Sequence, residues 1–184
     1  MKAGIYQSQV TLMLKVLPIV ARETCFALKG GTAINFFIRD LPRLSVDIDL
    51  AYVPFDDRKT ALSKMSAGLE NISKQIKKNI PGAKVTPHRI SDQILKLTVS
   101  SDSTTVIIEP NGILRGTIYP CETRSLTKSA VGKFNTNVKL STLSVAEIYG
   151  GKLCAAFDRG HPRDLFDLHI LFQNEGVTES IRDA

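Results

Sequence analysis

The chain has 184 residues, of which 43% are hydrophobic and 23% charged, so it can form one buried core and is not expected to be disordered. Its net charge of +6 at pH 7 favours a polyanionic partner without establishing one. The three cysteines are widely spaced among apolar neighbours, as in reduced proteins, and no apolar run is long enough to span a membrane. Composition and charge therefore predict a cytoplasmic protein with no membrane segment.

The first third of the chain alternates apolar patterns of helical and strand period. Proline and glycine residues separate these patterns, because proline cannot continue a helix and a glycine pair permits a tight turn. Pro18 is expected to disturb the first helix. The predicted elements are a helix over 10–21, a strand over 25–28, a turn at Gly30-Gly31, a helix over 32–39 and a strand over 44–53.

The rest of the chain begins with a long amphipathic helix and is expected to end in helices. Ser144, with Glu147 three residues later, forms a predicted capping box at the start of one of these helices. The predicted elements are a helix over 57–79, a hairpin of strands 94–99 and 104–109, a loop region over 110–120, and helices over 144–158 and 164–172.

This order of elements divides the chain into two parts. Residues 1–120 are expected to form a mixed α/β core with an N-terminal helix, and residues 121–184 a helical C-terminal portion. A further helical pattern starts after Val177, close to the last residue, which favours a C-terminal portion that is truncated.

Two carboxylates form the first candidate site. Asp47 and Asp49 are two residues apart on a predicted strand, so both side chains point to one face, with backbones about 6.5 to 7 Å apart. Oxygen donors placed in this way can share Mg²⁺ and leave its other positions for water and phosphate. An Asp-x-Asp sequence by itself is more often an ordinary solvated strand face.

The glycine pair forms the second candidate site. Without side chains, Gly30 and Gly31 let backbone N–H groups approach a phosphate at the start of a helix. Thr32 adds a hydroxyl or caps that helix. A turn that only needs positive φ explains the glycines equally well, but it does not explain why they precede an acidic strand.

Two further residues and one cluster carry charge suited to phosphate chemistry. Glu109 ends a predicted hairpin strand and becomes a third carboxylate if that hairpin joins the sheet of the Asp47 strand. Lys152 follows two glycines on a predicted helix and can neutralise triphosphate charge. Arg159 and the segment 163–168 add a basic and acidic cluster, for which a structural salt-bridge network is the alternative.

Taken in order over residues 24–172, these motifs resemble the AbiEii/AbiGii toxin family of nucleotidyltransferases, which includes the MenT toxins. The resemblance implies a polymerase-β-like nucleotidyltransferase core with a mixed sheet, of the α/β (α+β) class, followed by a helical C-terminal portion. The motifs are Leu28-Lys29-Gly30-Gly31-Thr32-Ala33, Arg43-Leu44-Ser45-Val46-Asp47-Ile48-Asp49-Leu50, Lys152 and Arg163-Asp164-Leu165-Phe166-Asp167-Leu168.

The resemblance also implies a role for each matching residue. The nucleotide is expected to bind to the glycine turn and to two further side chains, namely Lys29, Gly30, Gly31, Thr32, Ser45 and Lys152. Asp47 and Asp49 are expected to bind Mg²⁺, or Mn²⁺, with Glu109 as a variable third ligand. An aspartate of the closing motif, Asp164 or Asp167, is expected to be needed for activity.

What the resemblance implies about function is the transfer of NMP from an NTP to an acceptor by a toxin that has a cognate antitoxin. The favoured acceptor is the 3′ end of tRNA, with another RNA or a protein as alternatives. Two other readings of the residues stay open. One is an Asp-x-Asp glycosyltransferase, which leaves the glycine turn unexplained, and the other is a catalytically silent module that binds RNA or an antitoxin.

Overall fold

The computed structural model describes the backbone of residues 2–184 and the side chains of residues 4 and 6–184. Its strands are β1 Phe26–Leu28, β2 Ile48–Tyr52, β3 Lys84–Ile90, β4 Gln93–Ser101, β5 Thr104–Arg115, β6 Glu122–Ser125 and β7 Lys139–Thr142. Its helices are α1 Lys2–Val20, α2 Gly30–Ala33, α3 Arg58–Asn79, α4 Lys128–Phe134, α5 Val145–Arg159, α6 Pro162–Asn174 and α7 Glu179–Asp183, and a π-helical segment over Ile34–Ile38 continues α2.

All of these strands belong to one mixed sheet, in the order β3-β4-β5-β2-β1-β7-β6. The pairs β2/β5 and β1/β7 are parallel, and the other neighbours are antiparallel. The hairpin of β4 and β5 joins the sheet through β2, with Asp49 opposite Glu109 in the register. The expected mixed α/β architecture is therefore confirmed, and so is the neighbourhood of these two acidic residues.

The buried face of the long helix α3 explains how the sheet is covered on one side. Asp57 caps this helix, because its carboxylate accepts hydrogen bonds from the N–H groups of Lys59 at 2.9 Å and Thr60 at 3.1 Å. Apolar residues at three- and four-residue spacing then pack towards β3 and β4, where Leu69 and Ile72 are fully buried.

The capping box predicted for α5 forms in part. The Ser144 hydroxyl accepts a hydrogen bond from the Glu147 N–H at 3.1 Å. The Glu147 carboxylate, however, accepts the Ser144 hydroxyl and the N–H of Ile118, at 3.0 and 2.9 Å. Glu147 therefore fastens the loop after β5 to α5.

The prediction of a loop over 110–120 is wrong for the first half of this region, because β5 continues to Arg115. Proline lacks an N–H group and is tolerated in a strand where one side needs no partner. Pro110 meets this condition, since β4 pairs with β5 only as far as Ile108 and β2 alone pairs with Pro110. The side-chain oxygen of Asn111 then accepts hydrogen bonds from the N–H groups of Ile113 and Leu114.

Three other elements differ from their predicted form. The edge strand β3 is not predicted, since most of its side chains are exposed and show no alternation. The helix expected over 32–39 begins at Gly30 and becomes π-helical after Ala33. Pro18 lies near the end of α1 and does not interrupt it.

The stretch expected to be helical, 121–184, also contains β6 and β7. These strands have four residues each, too few for a clear alternating pattern. The division of the chain into two domains near residue 120 stays a prediction. None of the helices within residues 2–184 has the length and apolar character needed to cross a bilayer.

Replacing Ile72 with alanine is expected to lower the free energy of unfolding by about 2–5 kcal/mol, because it leaves a cavity beneath the sheet. Ser63→Ala on the exposed side of α3 is the control, with an expected change below about 0.5 kcal/mol. Urea unfolding measures both. Similar values for the two variants would contradict the assigned core face of α3.

Candidate active site

A cavity of about 380 Å³ lies where β1, β2, β5 and α5 meet. Its wall combines the residue before the glycine pair, one aspartate of β2, the acidic residue of β5 and two cations of α5. These residues are Lys29, Gly30, Asp49, Glu109, Lys152 and Arg159. Residues that are far apart in the sequence and carry the predicted chemistry are therefore gathered in one place.

The turn between β1 and α2 needs glycine for two reasons. Gly30 has a φ of +69°, and a Cβ atom there would lie 2.4 Å from Oδ2 of Asp49. At Gly31, a Cβ atom would lie 2.9 Å from Nη2 of Arg43 and 3.0 Å from Oγ of Ser45. The absence of side chains thus lets the acidic strand and its flanking arginine pack directly against the turn.

The hydroxyls of Thr32 and Ser45 are buried under the turn. Thr32 has no exposed surface, and its hydroxyl donates to the carbonyl oxygen of Asp47 at 2.5 Å and lies 3.1 Å from the Ser45 hydroxyl. Both side chains therefore hold the turn to the acidic strand. Neither lines the cavity, so their contact with a nucleotide stays a prediction.

Asp47 lies just before the first residue of β2, and Asp49 is the second residue of this strand. Among the side chains that the structure describes, neither carboxylate accepts a hydrogen bond or lies within 4.0 Å of a cationic group. Burial raises the pKa of Asp49, and the charge of Asp47 raises it further. Two partly buried carboxylates without a cation are suited to bind a divalent metal, so the residues present fit Mg²⁺ or Mn²⁺.

Glu109 lies beside this pair without completing it. It is opposite Asp49 on the neighbouring strand, but its side chain is 52% exposed and pairs with Lys96 at 3.5 Å. Among the residues described, no three histidine, cysteine or acidic side chains converge as metal ligands do. The role of Glu109 as a third ligand therefore stays a prediction.

Lys152 is buried between two aspartates of α6. Its ammonium group donates to Asp164 Oδ1 at 2.8 Å and lies 3.2 Å from Asp167 Oδ2. Arg159, about two helical turns further along α5, donates from Nε to Asp164 Oδ2 at 2.8 Å. The salt-bridge network that the sequence left open is thus present, and it holds both cations at the cavity wall.

Asp167 connects this network to the glycine turn. Arg43 donates two hydrogen bonds to the Asp167 carboxylate, at 2.8 and 2.5 Å. The side-chain amide of Asn35 donates to Asp167 at 3.2 Å and to the carbonyl oxygen of Gly31 at 2.8 Å. Asp164 and Asp167 both hold Lys152, so the geometry gives the two aspartates a shared positioning role.

The sequence matches the family described as nucleotidyl transferase AbiEii toxin, of a type IV toxin–antitoxin system, over residues 11–184. The chain belongs to the AbiEii family of nucleotidyltransferase toxins. This confirms the resemblance that the motifs indicate. No curated protein matches the chain in sequence.

Solved structures share the fold of this AbiEii family member at low sequence identity. MenT4, a nucleotidyltransferase toxin of Mycobacterium tuberculosis H37Rv, matches with a TM-score of 0.72 and 16% identity, over 96% of this chain and 62% of MenT4. JHP933 of Helicobacter pylori matches with a TM-score of 0.59 and 20% identity, over 92% of this chain and 67% of JHP933. The antibiotic-resistance factor ANT(2″)-Ia matches with a TM-score of 0.53 and 16% identity, over 96% of this chain and 89% of ANT(2″)-Ia. The chain thus spans less than two thirds of the length of MenT4.

The sequence assigned no role to Arg43 or Asn35 of this AbiEii site and indicated Arg159 only as part of a charged cluster. Arg43 lies in the motif that contains Asp47 and Asp49, and Arg159 lies in the charged cluster. Their spacing in the sequence does not show that Arg43 binds Asp167 or that Arg159 binds Asp164. Asn35 lies in an apolar helical stretch with no charged neighbour. A polar amide in such an apolar stretch, one helical turn after the glycine pair, is the feature of the sequence that could have indicated a role for Asn35.

Gly30→Ala is expected to lower the free energy of unfolding by about 1–3 kcal/mol, because alanine is strained at this φ and clashes with Asp49. Nucleotide affinity is expected to fall at least tenfold. Gly132→Ala in α4, where a Cβ atom meets nothing within 4 Å, should leave nucleotide affinity unchanged. Urea unfolding and calorimetric titration with an NTP measure the two quantities, and normal NTP affinity in Gly30→Ala would contradict the assigned turn.

The ion pairs of Asp164 predict how stability depends on pH. Burial acts to raise the pKa of Asp164, but hydrogen bonds from Arg159 and Lys152 outweigh burial and lower this pKa to about 2. The stabilisation, about 2 kcal/mol, is complete above the ordinary pKa of 3.8 and is lost as pH falls towards 2. The difference in free energy of unfolding between the wild type and Asp164→Asn should therefore shrink from pH 4 to pH 2. A constant difference would contradict the assignment.

Proposed function

We propose that this AbiEii family member transfers NMP from an NTP to the 3′ end of tRNA. The observation that supports this most is the packing of Asp49 against Gly30, because the two residues line one cavity, as the binding of a phosphate beside a divalent metal would require. Lys152 and Arg159 line the same cavity and add positive charge. A triphosphate requires all three features together.

In this proposal the triphosphate lies between the glycine turn and α5. Backbone N–H groups of the turn and the ammonium group of Lys29 contact it from one side, and Lys152 and Arg159 from the other. Burial lowers the pKa of Lys29, whereas the nearby carboxylate of Asp49 acts in the opposite direction. Lys152 reaches the cavity with its position fixed by two aspartates, so little reorganisation accompanies nucleotide binding.

Asp47 and Asp49 would hold the divalent cation, Mg²⁺ or Mn²⁺, which when bound supplies charge neutralisation at the phosphates. The acceptor hydroxyl then attacks the α-phosphate and pyrophosphate leaves. Most of the rate acceleration comes from positioning the two substrates and from neutralising charge.

Glu109 is the favoured group to take the proton of the attacking hydroxyl. Its side chain is half exposed beside Asp49, where an acceptor can approach it. Asp164 is less suited to this task, because two cations hold its carboxylate and its pKa is about 2.

Charge and family membership support the proposed acceptor and partner. A net charge of +6 favours an RNA acceptor over a neutral one, and NTP and tRNA place the reaction in the cytoplasm. Membership of a type IV toxin–antitoxin family supports a cognate antitoxin as partner. The glycosyltransferase alternative still does not explain why Gly30 packs against Asp49.

Asp47→Asn and Asp49→Asn are each expected to reduce NMP transfer at least a thousandfold, since an amide binds a divalent cation far more weakly than a carboxylate does. Asp49→Asn should not lower the melting temperature, because it removes a buried charge that has no partner. Asp102→Asn, in the exposed turn between β4 and β5, is the matched control with unchanged transfer.

The assay combines purified protein, Mg²⁺ or Mn²⁺, total tRNA and each labelled NTP in turn. Label on tRNA in the wild type and in Asp102→Asn, but not in the other two variants, is the expected result. Retained transfer by both Asp47→Asn and Asp49→Asn would refute the assignment. Label on protein would change the acceptor, consumption of a nucleotide sugar would favour a glycosyltransferase, and nucleotide binding without transfer would favour a silent module.

A further inference from the structure

The cavity of about 380 Å³ is the catalytic cavity of the proposed reaction, and its polar side chains are charged with one exception. Asn111 of β5 is the uncharged polar side chain among the described residues of its wall. The proposed function gives the cations to the triphosphate and the carboxylates to the metal and to proton transfer. The base of an NTP is uncharged, and the donors and acceptors at its edge distinguish it from other bases. Asn111 is therefore the candidate for recognising the base.

Strand β5 bulges where Asn111 lies. Strand β2 advances two residues from Leu50 to Tyr52, whereas its partner β5 advances five residues from Pro110 to Arg115. The extra residues form a bulge, and bulges beside active sites are a common way to reorient a side chain. Asn111 is the first residue of this bulge.

The side-chain amide of Asn111 has a fixed orientation. Its Oδ1 atom accepts hydrogen bonds from the N–H groups of Ile113 and Leu114, both at 2.9 Å. Only the oxygen of an amide can accept these bonds, so the assignment of oxygen and nitrogen is settled. Among the described residues, Nδ2 has no hydrogen-bond partner. Asn111 therefore offers a ligand N–H donors, while both lone pairs of its oxygen are occupied.

The position of Asn111 indicates which ligand its amide meets. The other β5 residues in the wall, Glu109, Pro110, Gly112 and Ile113, also line a neighbouring groove beside the start of α3. Asn111 lines the catalytic cavity and not this groove. A ligand that accepts a hydrogen bond from Nδ2 is therefore inside the catalytic cavity, where the proposed NTP binds.

Apolar side chains of the same cavity provide surfaces for the faces of a base. Ile148 and Ala155 of α5 and Ile113 of β5 line it. Ligand sites commonly combine an apolar lining with a few polar groups that determine specificity. With the ring faces packed in this way, the hydrogen bond at the ring edge decides which base fits.

We propose that Asn111 selects the base of the NTP by donating a hydrogen bond to a ring carbonyl, an inference that rests on the proposed function. Uracil has the carbonyl oxygen O4 and guanine has O6, where cytosine and adenine have amino groups. A fixed donor binds a carbonyl oxygen, whereas an amino group at the same place leaves two donors facing each other. UTP and GTP are thus the preferred nucleotides over CTP and ATP.

The test measures the dissociation constants of these four NTPs by calorimetry, with Mg²⁺ and without RNA. The comparison is made within the pyrimidine pair and within the purine pair, because each pair has a constant ring size. In at least one pair, the wild type is expected to bind the carbonyl base about tenfold more tightly than the amino base.

Asn111→Asp tests the donor without removing the acceptor. An aspartate can still accept the N–H groups of Ile113 and Leu114, but it has no N–H to donate. Its charge lowers the affinity for every NTP, so the ratio within a pair reports the base alone. The preference for the carbonyl base is expected to be lost or reversed.

Two further variants complete the series. Asn111→Ser keeps an oxygen that can accept the N–H groups of the bulge and removes the amide, so the preference should be lost without an added charge. Asn137→Asp makes the same charge change at an exposed loop residue that does not line the cavity, and should keep the wild-type ratios within twofold.

The base preference and NMP transfer are separate measurements, so this inference and the proposed function can fail independently. The role of Asn111 is overturned if the wild type shows no carbonyl preference in either pair or binds none of the four NTPs. It is also overturned if either Asn111 variant keeps the wild-type ratio or if Asn137→Asp loses it. A preference that depends on Asn111, in a wild type that transfers no NMP, would overturn the proposed function and support the role of Asn111.

Discussion

The arrangement of the whole site depends on the close approach of Asp49 to Gly30. The antiparallel pairing of β1 with β2 brings the two residues together, since the Lys29 N–H donates to the Asp49 carbonyl oxygen at 2.9 Å. A side chain at residue 30 would occupy the space of the carboxylate. The sheet thus fixes the distance between the glycine turn and the acidic strand, and glycine is the residue that makes this distance possible.

A chain of alternating charges connects the helices to this turn. From Arg43 through Asp167, Lys152 and Asp164 to Arg159, each charge lies against one of opposite sign. Buried ion pairs contribute little net stability, because desolvation offsets their attraction, but the loss of one partner is costly. Such a network suits a site in which cations must keep fixed positions before an anionic substrate arrives. The carboxylates of Asp47 and Asp49, in contrast, remain without a cation among the described side chains.

Strand β5 changes its hydrogen-bonding partners along its length. Up to Ile108 it is a central strand with neighbours on both sides, and beyond that point only β2 pairs with it. Its end, with the exposed Ile113, then borders both the catalytic cavity and a groove of about 680 Å³ beside the start of α3. Pro110, one of the residues that suggest a loop, is tolerated in this strand because β5 has a partner on only one side there.

The sequence by itself determined the local chemistry. Gly30-Gly31, the alternation around Asp47 and Asp49, and the cap at Ser144 are short-range patterns, and the family resemblance placed them in a nucleotidyltransferase core. Only the tertiary structure decided the rest. It buried Thr32 and Ser45 as supports, added short strands that periodicity cannot reveal, and joined residues over a hundred positions apart in one salt-bridge network. These features depend on long-range packing, and spacing along the chain carries no information about which distant partners meet.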